Sequence, residues 1–292
     1  MADIASTKSD ILRDDLQKIE STDVTTVKSL FIAYIKKYYF VLIILPAIVL
    51  LVAIWLTIVT LIPHILIFTL FGLLAVYGYQ WQKLMGSFLE KFASETGYSY
   101  EDTAGTDSVS GVIFDFGSNQ NLSKIVTGKY FNQDTRLFIF NTTVGSGKSR
   151  HVERFSVLEI SFDTMLPNIL LDNHLNNISA WYTIGTRQNE TKLSLEGDFQ
   201  KYFTLYVAKQ YEVEALQIFT PEIMQMFINE AKNMGVEMYK NKVYLYYPGE
   251  ISKKEQLVSV YTLAKEIILR LGPTFITMKA DVEDMSQYAK LA

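Results

Sequence analysis

YYFVLIILPAIVLLVAIWLTIVTLIPHILIFTLFGLLAVYGYQWQ, residues 38–82, holds no Asp, Glu, Lys or Arg. Lys36 and Lys37 precede the run, Lys83 follows it, and Leu61-Ile62-Pro63-His64 divides it near the middle. A bilayer core about 30 Å thick takes roughly 20 apolar residues of helix, so a run of this length is too long for one crossing and suits two. The expected spans are Tyr39–Thr60, with Pro46 inside, and His64–Gln82. Tyr38, Tyr39, Tyr77, Tyr79 and Trp81 gather at the ends as an aromatic belt would. Lys28, Lys36 and Lys37 lie before the run, Lys83 and Lys91 after it, and none in the turn. Positive residues stay inside, so this reading predicts a cell-membrane protein with two spans, both termini cytoplasmic and the bilayer as a partner.

Working outward, the run divides the chain into residues 1–37, an amphipathic N-terminal segment, the hairpin 38–82, and a domain of residues 83–292 long enough for its own core. Ile11, Leu12, Leu16 and Ile19 fall at helical spacing, and Val24 to Ile35 extend the pattern after a break near Ser21-Thr22-Asp23. That segment either lies on a membrane surface or packs on its own soluble domain. The mixed charge before the apolar run is unlike a secretory signal peptide.

The formal net charge of −4 resides wholly in residues 83–292, which argues against nucleic acid as a partner. The chain has no cysteine, so disulfides, cysteine-ligated metals and cysteine nucleophiles are excluded together.

Residues 83–98 read as a helix stopped by Gly97. Val112–Phe116, Arg136–Phe140, Phe155–Ile160, Lys192–Glu196 and Tyr202–Val207 are strand-like. Thr220-Pro221-Glu222 opens a helix with a capping threonine and proline at the first position, and Gly235 should stop it. Val236–Tyr239 and Val243–Tyr247 flank a turn as a β-hairpin. A last helix is expected over Lys253–Leu271, ended by Gly272-Pro273. The expected fold is membrane-anchored α+β: a transmembrane helical hairpin followed by a mixed, largely antiparallel β-sheet domain with flanking helices.

Three stretches carry a resemblance: Phe88-Leu89-Glu90-Lys91-Phe92 leading to Thr96-Gly97-Tyr98, Leu166–Asp172, and Gly197-Asp198-Phe199 through Glu214-Ala215-Leu216 to Thr220–Met224. In these the chain resembles a family of bacterial two-span membrane proteins with a C-terminal domain of unknown function. The resemblance implies the two-span arrangement and brings no catalytic residue with it.

Gly145-Ser146-Gly147-Lys148-Ser149 imitates a phosphate loop. A Walker A loop needs glycine where Thr142 stands and a helix where His151–Ile160 looks like a strand. The stretch is therefore read as a hairpin loop, with no nucleotide and no other cofactor. Lys148, Arg150 and Arg154 share one strand parity, with His151 opposite. They guard a solvated edge or touch anionic lipid, and with Lys36, Lys37 and Lys83 they are the candidate membrane-surface contacts. His151 and His174 fit no ligand spacing, and Asp163 and Asp172 read as surface acids.

A membrane-anchored binding or scaffolding module, acting on a protein partner or as a homo-oligomer, is the first functional reading. The alternatives are a subunit of an oligomeric channel or transport assembly, which symmetry would reveal, and an enzyme, which would need a polar cleft around perturbed acids or histidines.

Overall fold

The computed structural model describes residues 15–22, 27–38, 43–60, 64–175, 190–195 and 197–288. Ile11, Leu12 and Val24 lie outside them. The chain divides into two compact units: Asp23–Phe92 with Ser252–Lys254, and a body drawn from Met1–Thr22, Ala93–Ile251 and Glu255–Ala292.

The smaller unit is helical, with α1 (Val27–Lys37), α2 (Leu45–Thr60) and most of α3 (His64–Thr96). Here the transmembrane expectation is corrected. Among the described residues no helix is long and apolar enough to cross a membrane. α2 as described is Leu45–Thr60, and its 16 residues span only about 24 Å at 1.5 Å each, while Tyr39 lies outside the described residues. α3 is long enough, but it turns polar from Gln80 onward and carries Lys83, Glu90, Lys91 and Glu95. The run is uncharged and divides where expected, but α2 is short and α3 continues into a polar, charged half, so apolar composition alone overstated the case for crossing a membrane. The two-span topology, the cell-membrane assignment and the bilayer as partner are withdrawn with it.

The body is built on one nine-stranded sheet: β1 (Ser99–Ala104), β2 (Ser118–Tyr130), β3 (Gln133–Val144), β4 (His151–Ser161), β5 (Ile169–Asn173), β6 (Glu190–Leu193), β7 (Phe203–Ala208), β8 (Gly235–Tyr239) and β9 (Lys242–Pro248). Their order is β1-β2-β3-β4-β9-β8-β5-β7-β6. Every pair of named strands is antiparallel, so the sheet is not mixed.

Register sorts the side chains into two opposed rows. Leu137, Leu158, Leu245, Val236, Leu171, Leu205 and Leu193 stand opposite one another across seven strands. One residue along, Arg136, Glu159, Tyr244, Glu237, Leu170, Tyr206 and Lys192 form the neighbouring row on the other face. Successive residues of a strand point to opposite faces, so one face is apolar and the other holds a band of charge and tyrosine.

α6 (Lys254–Tyr288) serves the apolar side: the Tyr130 hydroxyl donates to the Tyr261 carbonyl at 3.1 Å, and the Phe162 and Phe275 rings meet edge to face at 5.1 Å. The expected stop at Gly272-Pro273 is corrected, because the helix runs on through Pro273. Pro273 is exposed, while Ile268, Leu271, Phe275 and Met278 keep a buried stripe at helical spacing. Continued burial outweighs one missing hydrogen bond. α4 (Glu212–Ile218) and α5 (Pro221–Glu230) are shorter helices of the body. Thr220 caps α5 as read, its hydroxyl accepting from Ile223 N at 3.4 Å, but α5 ends at Glu230 and Gly235 opens β8.

The other face is roofed by residues 105–117. Val112–Asp115 forms a 3-10 turn, not the expected strand, because Phe114 drops among the rings of Phe138, Phe140, Tyr244 and Tyr246. A side chain buried in this way needs a bent backbone, and a pleated one would place it elsewhere.

Candidate functional site

The polar row creates the body's main chemical problem: charges on a buried sheet face must be paired or hydrogen-bonded. Glu159 is met from two sides, by Arg136 at 2.9 Å and Lys242 at 3.0 Å. The roof completes the set. Arg136 donates to the Ser108 hydroxyl at 2.9 Å, Lys242 donates to the Ser108 carbonyl at 3.3 Å, and Ser110 N donates to the Tyr244 hydroxyl at 3.4 Å.

Glu237 is 2% exposed and accepts a hydrogen bond from the Tyr246 hydroxyl. Gly111 permits that arrangement, since a Cβ there would lie 2.7 Å from Glu237 Oε2 and 3.1 Å from the Tyr246 hydroxyl. Burial pushes the Glu190 carboxyl up to about 7, and the charge of Glu237 adds to the shift. Burial, with help from Asp172, also raises Tyr206. Asp172 is fully buried on β5, so its reading as a surface acid is corrected: it faces the same side as Glu237, where the alternation of an all-buried strand carries no polar signal. A carboxyl near 7 can exchange a proton at neutral pH, which is the chemical capability of this cluster. Among the described residues, no group of three or more histidines and carboxylates is placed to hold a metal.

The histidines have other described partners: His174 contacts Thr204, which stands opposite Asp172 in the sheet. His151, at the start of β4, is exposed and pairs with Glu153 at 3.0 Å; its carbonyl contact with Ser149 holds it above its ordinary value. His174 meets the Lys201 carbonyl at 3.1 Å and the Thr204 hydroxyl at 2.9 Å.

Within the body, Lys148, Arg150 and Arg154 do not share one strand face. Lys148 lies in the 3-10 turn Gly147–Ser149 and Arg150 just after it, both exposed, so strand parity governs only Arg154. Arg154 lies 3.3 Å from Glu250, which Lys124 also meets at 3.0 Å. The Gly145–Ser149 loop joins β3 to β4, and a strand follows it. Lys36 and Lys37 end α1, with Lys37 over the Tyr38 ring at 5.3 Å, and Lys83 is exposed on α3.

Two cavities are open to solvent. One of about 400 Å³ lies in the body between α5 and α6, lined by Glu222, Gln225, Asn229, Glu230, Glu266 and Arg270. The other, about 290 Å³, lies within the helical unit and is apolar, lined by Tyr34, Tyr38, Pro46, Val49, Leu73 and Tyr77 among others. It opens on an unusual surface. Among the described residues, nineteen large apolar side chains between Ile32 and Trp81 are exposed, against seven elsewhere. Phe68 is 74% exposed, Phe71 67% and Trp55 62%. Proteins rarely leave contiguous apolar patches above a few hundred Å² unless something covers them.

No protein-family model matches the chain, and no curated protein is similar to it at a significant level. Among solved structures, the crystal structure of the mycobacterial trehalose monomycolate transport factor A, TtfA, is similar over 63% of this chain and 94% of that one, at 11% identity and a TM-score of 0.46. A likeness of that size leaves the function to be argued from the chain's own residues.

Proposed function

We propose that the chain is a binding or scaffolding module: the sheet body is the stable part, and the helical unit carries the surface that engages a partner. The observation behind this reading is the concentration of exposed apolar side chains on α2 and α3. Burying a large apolar side chain contributes about 1.5–3 kcal/mol, so even a handful of these groups would hold a partner firmly. The buried acids of the body support the same division of labour. Glu159 and Glu237 are engaged by Arg136, Lys242 and Tyr246 within the fold.

The test places a photo-crosslinking residue at Trp55 or Phe71 of the full chain in cells, with one at exposed Asp134 in the body as the control. Discrete crosslinked species from the two helical positions, and none from the control, are expected. Equal crosslinking from all three positions, or none from any, would remove the reading.

A further inference from the structure

We propose that what covers the exposed apolar side chains of α2 and α3 is a second copy of this chain, packed through the same two helices. The proposal rests on the binding reading and names its partner.

Area is the first argument. Sixteen exposed large apolar side chains on α2 and α3 present on the order of 1,500 Å² of apolar surface, where a stable interface takes about 800 Å² from each side. The same two helices of a second copy are enough to cover a large part of it.

Charge is the second. From Tyr38 to Gln82 this surface has no formal charge to offer. A partner with ordinary surface charge would have to bury those charges against it unpaired, which costs several kcal/mol for each. A second copy presents the same uncharged stretch, so neither side buries an uncompensated ion.

Shape is the third. The helical unit carries both a receptor, the apolar cavity of about 290 Å³, and protruding aromatic groups such as Trp55, Phe68 and Phe71. A two-fold interface uses one self-complementary patch twice, so projection and cavity on one unit can serve each other reciprocally.

Sedimentation of the purified full chain at tens of micromolar tests the proposal. Twice the chain mass or a higher multiple is expected. Trp55→Glu and Phe68→Glu should weaken the association at least about tenfold, because each places a charge in an apolar contact. Trp55→Phe should keep it, and hydrogen-exchange protection in β3 and β4 should stay unchanged in all three variants. Single-chain mass for the wild type overturns the proposal, whatever the variants do. So does flotation of single chains with phosphatidylcholine vesicles, which would give the surface to lipid. Crosslinks from Trp55 to a different protein alone would sink the second copy and leave the binding reading standing.

Discussion

The Tyr246 hydroxyl on β9 donates a hydrogen bond to the Glu237 carboxylate on β8, two residues along the register, since Tyr246 stands opposite Gly235 and Glu237 opposite Tyr244. Both residues are fully or nearly buried. Tyr246→Phe keeps the ring among Phe114 and Tyr244 but removes a donor from a buried acid. A hydrogen bond to a charged group contributes about 1.5–3 kcal/mol, and that loss is expected in urea unfolding with an unchanged m-value.

Gly111→Ala tests the same spot from above. Its Cβ would press on both Glu237 Oε2 and the Tyr246 hydroxyl, neither of which is the free end of an exposed chain. The roof must lift or the pair must part, and a loss of about 1–3 kcal/mol is expected, as for overpacking elsewhere. Thermal unfolding measures it. A variant as stable as wild type would mean the roof is looser than the contacts imply.

Glu159 and Asp134 make a contrast between buried and exposed ion pairs. Glu159→Gln leaves Arg136 and Lys242 facing a neutral group on a buried face, so a loss of about 3 kcal/mol is expected. Asp134→Asn breaks the 2.7 Å contact with Lys129, whose partners are both about 69% exposed, and should cost under about 0.5 kcal/mol. Comparable losses in the two variants would contradict this reading of the polar row.

Stability should fall as pH rises through the range set by Glu190. Its carboxyl is raised in the folded state, from 4.5 to about 7. Between those values the folded chain binds more protons than the unfolded chain, so the unfolding free energy decreases with pH. Glu190→Gln should flatten that part of the profile, read from denaturation midpoints between pH 4.5 and 7.5. An unchanged slope would place the titration elsewhere.

Local chemistry was legible in the sequence wherever it is also local in space. Thr220-Pro221 announced α5, the turn at Lys240-Asn241 joined its hairpin, and Gly97 closes α3 with a left-handed φ of 71°. Arg136–Phe140 and Phe155–Ile160 showed as strands because β-branched and aromatic residues concentrate there. Pairings across the sheet were not legible. Nothing near Glu237 in sequence reveals that Tyr246, Gly111 and Glu190 converge on it, and Asp172 looked like any acid. Val112–Phe116 reads apolar whether it pairs as a strand or plugs a core. The uncharged run showed the helix end at Thr60 and the helix start at His64, and misled only about a bilayer: apolar composition does not reveal that α2 is 16 residues long or that α3 turns polar from Gln80.

Residues 15–22 belong to the body although the helical unit intervenes before the rest of it. Asp15 accepts the Phe131 backbone N–H at 2.8 Å across 116 residues, and Ile19 is 1% exposed. On the ribosome, at roughly 5–20 residues per second, this segment therefore waits on the order of ten seconds for its docking place to be made. The β2–β3 turn that receives it is itself assembled from adjacent strands, so the segment docks on a turn that forms without it. A variant weakened at Asp15 should leave the sheet's own refolding rate nearly untouched and speed the release of that strap, which makes residues 15–22 a latch across the β2–β3 turn.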